Sequence, residues 1–318
     1  MFENKIKGCI FGYAIGDALG LGTEFMTRQE AKVRYPDGLR EYKQIIRDAH
    51  RSQWRKGDYT ADTRFIEILA ESMIEKSDID HLDYARRLKE WYETSTDFDC
   101  GPHLRLIIQD PDFAKDPIAT AQRIYTGRGH DDAHNEALGR ALLLGLWPNF
   151  KEEHVIQNCK MTHPNSRCVT SAVVIGVMAH ELLWYRREAK FDLLMGIAKR
   201  LDETVIPYLE TARSGSLADF SLDDEETFWY SRKAMGAALW TLWHHDNPET
   251  ALYNIIEYAG DADTNAALAL GLLGLKYGYN HLPQNLVETL LEKDKLNNLS
   301  DRLISTLKKS DKHKDTDE

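Results

Sequence analysis

Apolar residues recur at spacings of three and four along most of the chain, which is the pattern of helices with one buried face. No segment shows the sustained alternation of apolar and polar residues that is typical of strands. Residues 231–243, "SRKAMGAALWTLW", predict one helix, and Asn247 with Pro248 supplies an N-cap and a first-turn residue for the next, which is predicted to end near Gly260. A further helix is predicted from Asp263 to near Gly278. The pattern therefore predicts an all-α protein.

The chain is long enough to bury a large core. It has 318 residues, of which 42% are hydrophobic, and this size suits one large domain or two small ones. We favour a single compact multi-helix domain over residues 1–305. The final stretch, "KKSDKHKDTDE", lacks apolar anchors, so residues 306–318 are predicted to form a disordered polar tail.

Four glycines near the start of the chain share one spacing. Gly8, Gly12, Gly16 and Gly20 recur every fourth residue, which places them on one face of a helix. Glycine inside a helix costs about 1 kcal/mol relative to alanine, so a run of glycines indicates a specific purpose. We interpret this face as the site where another backbone packs closely; a broken helix is the alternative.

Charge and cysteine content exclude several classes of protein. The formal net charge is -11, which argues against nucleic acid or an acidic membrane as a partner. The four cysteines form no CxxC pair and are expected to be reduced thiols. No apolar run approaches the roughly 20 residues of a transmembrane helix, and the segment from Cys168 is predicted to be a core helix. We therefore expect a soluble, cytoplasmic, monomeric protein.

Oxygen-bearing side chains crowd two predicted junctions between a loop and a helix. These are "GDYTADT" at 57–63 and "AGDADT" at 259–264. Asp and Thr at such a junction can simply cap the helix, which is the better interpretation of either segment alone. Two segments together favour a site for a hard divalent cation, because Mg²⁺ takes several oxygen ligands.

Other catalytic motifs are absent from the sequence. There is no G-x-S-x-G elbow, P-loop or H-E-x-x-H helix, and "GLGTEF" lacks the full dinucleotide fingerprint. His130, Asp131, Asp132 and His134 offer ligands for a transition metal, but a solvated polar loop is the favoured interpretation of that segment.

The order of several short motifs resembles the ADP-ribosylglycohydrolase family, which includes arginine-specific hydrolases and dinitrogenase reductase-activating glycohydrolases. The resemblance runs from about Gly8 to Pro283. It is carried by "GCIFGYAIGDALGLGTEF", "WRKGDYTADT", "FDCG", "NEALGRALLLG", "MTHP" and "AGDADTNAALALGLLGLKYG". The last of these motifs is the most specific, and "MTHP" is the least specific.

The resemblance implies an all-α fold with a centre of two Mg²⁺ or Mn²⁺ ions in a cleft that receives ADP-ribose. Glu24 matches the acidic residue near the metals, where it binds an ion or positions the attacking water, and Asp17 matches an aspartate that supports the region. Asp62 is expected to serve both the metal centre and catalysis. The residues that match the metal ligands are Thr60, Asp62, Asp261, Asp263 and Thr264.

The resemblance also implies contacts to ADP-ribose and to the modified protein. Asp99 matches the catalytic-site aspartate that faces the modified guanidinium in arginine-directed members, although it can equally cap a helix. Arginine is therefore the preferred acceptor, with other side chains open. For Arg140 a buried ion pair, and for His163 the closing of a turn, are alternatives. The residues that match positions beside the nucleotide are Gly127, Gly129, Asn135, Arg140 and His163.

The chain departs from the family pattern at one position. Family members carry Thr-Asp-Asp-Thr where this chain has Thr60, Ala61, Asp62 and Thr63. Alanine offers no oxygen to a cation, so one of the two metal sites is expected to be weakened or lost. The chain can therefore be a hydrolase impaired by an active-site substitution, a one-metal enzyme, or a pseudoenzyme that binds ADP-ribose without cleaving it. A purely structural protein of this fold is disfavoured, because it would have no reason to keep the acidic residues together.

Overall fold

The computed structural model describes residues 1–95, 100–128 and 133–312, with the side chains of residues 128 and 312 excluded. The described residues form helices and turns without a β-sheet, and a single isolated bridge pairs His134 with Tyr230. The all-α prediction is confirmed. The helices are α1 (Phe2–Gly20), α2 (Arg28–Arg34), α3 (Ala61–Lys76), α4 (His81–Thr94), α5 (Pro102–Gln109), α6 (Pro117–Arg128), α7 (Leu138–Leu144), α8 (Glu152–Lys160), α9 (Ser166–His180), α10 (Phe191–Leu201), α11 (Ile206–Ser214), α12 (Ser231–His244), α13 (Pro248–Ile256), α14 (Ala262–Tyr277), α15 (Gln284–Thr289) and α16 (Lys293–Lys312).

Helices α1 and α14 form the centre of the molecule. From Gly8 to Gly20 every residue of α1 is buried, and so is every residue of α14 from Ala262 to Leu275. Both helices are apolar on all sides, which is the pattern of a helix surrounded by other helices. The remaining helices pack around this pair and bury the apolar faces that the periodicity predicts.

The glycine face of α1 lies directly against the backbone of α14. A Cβ atom at Gly8, Gly12 or Gly16 would overlap a carbonyl oxygen of α14, and at Gly20 it would lie 2.5 Å from the carbonyl oxygen of Ala262. Backbone atoms cannot move aside as a side chain can, so residues with a Cβ do not fit in this contact. The predicted close packing is confirmed.

The predicted boundaries of α12 and α14 lie within about one residue of those observed, whereas α13 ends at Ile256, before the predicted end near Gly260. Helix α12 ends one residue after the predicted 231–243 segment. Asn247 caps α13, because its Oδ1 accepts hydrogen bonds from the backbone N–H groups of Glu249 at 2.8 Å and Thr250 at 3.1 Å. Helix α14 ends at Tyr277. The next residue, Gly278, has a φ of 91°, a conformation that favours glycine and does not continue the helix.

The predicted tail begins too early. Helix α16 continues to Lys312, and Leu307 is fully buried in the core. Arg302 in the same helix donates hydrogen bonds to Glu71 of α3 at 2.6 and 2.8 Å, which anchors α16 to the body. The prediction was wrong for residues 306–312, because one buried leucine in each turn is enough to dock a helix that is otherwise polar. Residues 313–318 lie outside the described residues.

Helix α9 belongs to an apolar segment that is longer than the sequence pattern indicated. The segment Ser166–Tyr185, which is α9 followed by a π-helical turn, is long and apolar enough to cross a membrane by length and composition alone. Within it, 78% of the most apolar 18-residue window is buried inside the protein. This position agrees with the predicted core helix from Cys168, since a helix surrounded by others needs apolar residues on every side.

Replacement of glycine by alanine usually stabilises a helix. We expect the same replacement at Gly16 to destabilise the protein. Gly16→Ala should lower the free energy of unfolding by about 3 kcal/mol, because the new methyl group meets the Ala266 backbone. Gly196→Ala in α10 is the matched control: nothing lies within 4 Å of its added Cβ, so stability should rise by about 0.5–1 kcal/mol. Denaturant unfolding measures both, and a stable Gly16→Ala variant would contradict the packing argument.

Candidate active site

The start of α3 is fixed by a buried aspartate of α1. Asp17 accepts hydrogen bonds from the backbone N–H groups of Thr60 and Thr63, each at 3.0 Å, and from the Thr63 hydroxyl at 2.5 Å. Burial raises the pKa of Asp17, while these donors oppose the rise. Thr60 caps the helix by accepting from the N–H of Asp62 at 3.3 Å. Asp17 therefore supports the segment that carries Asp62.

The end of α1 is joined to the start of α14 by a short backbone pairing. Phe25 donates its N–H to the carbonyl oxygen of Gly260 at 2.7 Å, and Gly260 donates to the carbonyl oxygen of Met26 at 2.9 Å. Phe25, Ala259 and Gly260 all adopt positive φ angles, of 58°, 57° and 67°. These turns aim Glu24 and Asp261 into the same space, because the two chain segments run side by side there.

The two oxygen-rich helix starts meet. One oxygen from each of Glu24, Asp261 and Asp263 lies within 4.8 Å of the others. The hydroxyl of Thr264 donates to Asp62 at 2.6 Å, which links the α14 start to the α3 start. Residues separated by about 200 positions in the chain thus form one cluster of carboxylate and hydroxyl oxygens.

The cluster fits a hard divalent cation. Asp263 is buried. Its Oδ1 is shielded from solvent and has no hydrogen-bond partner in the protein. Burial and then the charges of Glu24 and Asp261 hold the pKa of Asp263 well above its ordinary value. Burial likewise raises the pKa of Asp261 to about 6 and that of Asp62 well above its usual range. A divalent cation would supply the missing positive charge and a partner for the unpaired oxygen.

Ala61 is the first residue of α3 and lines the pocket between Thr60 and Asp62. It is 7% exposed. The departure noted in the sequence therefore lies at the pocket, where Ala61 contributes no oxygen.

The cluster forms the floor of a cavity of about 440 Å³. One wall is aromatic: the Phe25 ring lies 5.6 Å from Phe228, and Phe228 lies 4.5 Å from Trp229. Trp229 also lies 5.7 Å from His134, which the bridge to Tyr230 holds in place. This size and mixture of apolar walls with a few polar groups are typical of a site for a small organic ligand.

Glu136 is a pocket residue that the sequence did not single out. Its Oε1 accepts from the N–H of Gly101 at 2.9 Å, and its Oε2 lies 3.2 Å from Nε2 of His163. Burial alone would raise the pKa of Glu136, but the His163 hydrogen bond and charge, with His134 and Gly101, lower it to about 2. Glu136 is therefore ionised. Its position next to Asn135, just before a buried helix, is the one signal in the sequence.

Of the predicted nucleotide contacts, Asn135 alone lines the pocket among the described residues. It is 2% exposed, and its Nδ2 donates to Oδ2 of Asp261. His163 lies behind Glu136, since its Nδ1 contacts the Thr162 hydroxyl at 2.8 Å and its Nε2 faces Glu136. Burial lowers the pKa of His163, and Glu136 opposes this change. His163 therefore acts on the pocket through Glu136.

The structure places Arg140 away from the pocket. Arg140 is fully buried, and it donates to Oδ1 of Asn158 at 2.8 Å and to the Thr162 hydroxyl at 2.5 Å. The expected contact with ribose and phosphates does not fit this position, because a guanidinium held inside the core cannot reach a ligand. Gly127 lies at the exposed end of α6 and does not line the pocket. Asp99 and Gly129 lie outside the described residues.

A larger groove of about 770 Å³ lies on the other side of Thr60 and Ala61. Several of its acidic residues are already paired: Arg64 donates to Glu292 at 2.7 and 2.8 Å and to Glu67 at 3.2 Å. Paired carboxylates at a surface have little left to bind a cation. The smaller cavity, where a buried oxygen of Asp263 has no hydrogen-bond partner, is therefore the candidate active site.

The fold and this pocket define a class: an all-α protein with a buried, oxygen-rich acidic pocket beneath an aromatic wall. Comparison with known proteins identifies the family. The ADP-ribosylglycohydrolase family model matches residues 1–313, and the chain belongs to this family. Its members are glycosidases that hydrolyse ADP-ribose linkages.

Individual relatives are distant but extend over most of the chain. ADP-ribosylarginine hydrolase Tri1 of Serratia proteamaculans is 23% identical over 313 residues, which are 95% of this chain and 79% of that protein. ADP-ribosyl-[dinitrogen reductase] glycohydrolase of Rhodospirillum rubrum is 25% identical over 91% of this chain and 90% of its own length. A solved structure, an ADP-ribosylglycohydrolase-related protein complex, shares the fold with a TM-score of 0.71 and 23% identity, covering 96% of this chain and 99% of its own.

Proposed function

We propose that this protein hydrolyses the bond between ADP-ribose and a modified arginine side chain, and that the reaction depends on Mg²⁺ or Mn²⁺. The observations that carry the proposal are the convergence of Glu24, Asp261 and Asp263 and the buried oxygen of Asp263 that has no hydrogen-bond partner. Such a set is costly to bury without a cation. The reaction class follows from the family, and the metal and the acceptor are our inference.

The residues that would hold the ions are the acidic cluster and the two threonines at the helix starts. A bound Mg²⁺ or Mn²⁺ would supply Lewis acidity and lower the pKa of a coordinated water. Asp62 accepts the Thr264 hydroxyl and would be shared between the two helix starts. The proposed ligands are Thr60, Asp62, Asp261, Asp263 and Thr264, with Glu24 beside them.

The side chains of the pocket would also act on the reacting sugar. Positive charge develops at ribose C1 as the leaving group departs, and nearby carboxylates stabilise that charge. Glu24 would accept a proton from the attacking water or orient it. The aromatic wall of Phe25, Phe228 and Trp229 would exclude other water from the pocket.

The charge of the pocket favours a positively charged side chain as the acceptor of ADP-ribose. The lowered pKa of Glu136 favours its ionised form, and no Lys or Arg is among the described residues that line the cavity. A guanidinium pairs well with a carboxylate and packs well on aromatic rings. Asp99, which matches the guanidinium-facing residue of arginine-directed relatives, would add to this preference.

Removal of metal tests the proposal directly. Protein treated with EDTA should release no ADP-ribose from an ADP-ribosylarginine substrate, and addition of Mn²⁺ or Mg²⁺ should restore the release, because the acidic cluster needs a cation to bind ligand. Chromatographic measurement of free ADP-ribose follows both steps. Full hydrolysis after thorough chelation would contradict metal dependence.

Glu136→Gln tests the acceptor preference. Glutamine can still accept from Gly101 N–H but carries no charge, so KM for ADP-ribosylarginine should rise by about tenfold or more. ADP-ribosylserine, whose leaving group is neutral, is the matched control, and its KM should not change. Equal effects on the two substrates would mean that Glu136 maintains the pocket without selecting the acceptor.

We further propose that Ala61 impairs one of the two ion sites. The methyl group lies at the pocket surface where the family carries a carboxylate. The same observation favours a second function, a pseudoenzyme that binds ADP-ribose without cleaving it. The two functions share the fold and the pocket, and they differ in whether the remaining ligands suffice for turnover.

Ala61→Asp should raise the rate of hydrolysis by about tenfold or more, because it returns a hard oxygen ligand to the cluster. The wild-type chain and the variant should be compared in the release assay and in calorimetric ADP-ribose binding. Binding without turnover in the wild type, with turnover in the variant, would identify a disabled hydrolase. Equal turnover in both would identify a one-metal enzyme.

A further inference from the structure

A short segment that does not line the pocket forms hydrogen bonds with Glu24. It runs from Asp48 to Trp54 and includes one turn of 3₁₀ helix, Arg51–Gln53. It contacts Glu24 through both the backbone and the side chain of that residue.

Arg51 fixes the backbone around Glu24. Its guanidinium donates through Nε to the carbonyl oxygen of Gly22 at 3.0 Å and through Nη2 to the carbonyl oxygen of Glu24. Asp48 holds the same guanidinium at 2.6 Å. Arg51 is buried, so these bonds are shielded from water and hold the Glu24 segment firmly.

His50 contacts the carboxylate itself. Its Nε2 lies 2.7 Å from Oε2 of Glu24, and the two side chains are 25% and 6% exposed. A carboxylate can only accept, so Nε2 carries the proton in this bond. The imidazole is held in turn by its ring contacts, with centroids 4.9 Å from Phe25 and 5.2 Å from Trp54.

We infer that His50 is a positioning residue for Glu24: its Nε2–H fixes the rotamer that brings this carboxylate together with Asp261 and Asp263. The inference rests on the proposed role of the cluster in binding a divalent cation. A glutamate has three rotatable side-chain bonds, and a free one would lose their entropy on binding an ion. Outer hydrogen-bond partners of metal-binding carboxylates typically contribute 10- to 100-fold in metal affinity.

His50 could instead matter only through its ring packing, and two variants separate these roles. His50→Gln retains an N–H donor at a similar distance from the backbone but has no ring. His50→Phe retains the ring between Phe25 and Trp54 but has no donor. The positioning role and the packing role therefore predict opposite orders of effect.

The experiment is calorimetric titration of the full metal-free chain with Mn²⁺ alone. His50→Phe should bind Mn²⁺ about 10- to 100-fold more weakly than the wild type, and His50→Gln should remain within about threefold of it. His180→Gln is the matched control, because His180 contacts the carbonyl oxygen of Gly145 and a phenylalanine ring far along the chain from the cluster. Its Mn²⁺ affinity should be unchanged. Thermal unfolding of the metal-free variants checks that each is folded.

Three results would overturn the inference. Wild-type affinity in His50→Phe would show that the donor does not matter, and equal losses in His50→Phe and His50→Gln would assign the effect to ring packing. In both cases the wild type still binds Mn²⁺, and the proposed cation site stands. Failure of the wild type to bind Mn²⁺ would remove the proposed site and this inference together. Should His50→Phe fail to fold, His50→Leu provides a second variant without a donor.

Discussion

Helices α1 and α14 approach each other at backbone distance, and the site depends on that contact. Four glycines leave no side chain between the two helices, and the last of them, Gly20, lies against Ala262. The end of α1 is thereby held beside the start of α14. Glu24 follows four residues after Gly20, and Asp261 and Asp263 flank Ala262, so the packing of two helices determines the distance between the carboxylates. Larger residues in this face would separate the helices and the cluster with them.

The second constraint is electrostatic. Buried carboxylates repel one another, and burial raises the pKa values of Asp62, Asp261 and Asp263 in the absence of a cation. The chain stabilises the arrangement with neutral donors, Thr264 for Asp62 and Asn135 for Asp261, and leaves an oxygen of Asp263 without a partner. This arrangement fits the proposed divalent cation.

Residues that do not line the pocket hold residues that do. Asp17 organises the start of α3, Arg51 and His50 hold Glu24, and His163 holds Glu136. These supports come from three segments of the chain, and each of them is buried or half-buried. The geometry of the pocket is therefore a property of the whole domain, which accounts for the extent of the family match along the chain.

The sequence alone determined the all-α class, the close packing of the glycine face, the Asn247 cap and the two oxygen-rich helix starts. Each of these depends on residues within a few turns of one another, where periodicity and capping rules operate. Tertiary structure decided the rest. Glu136 and His50 were not identified because neither belongs to a local pattern, and Arg140 was assigned to the ligand although it pairs with Asn158 in the core. The tail boundary failed for a similar reason, because Leu307 is buried by α16 docking onto distant helices. A linear pattern specifies which face of an element is buried, whereas the distance between side chains of remote segments depends on how the elements pack.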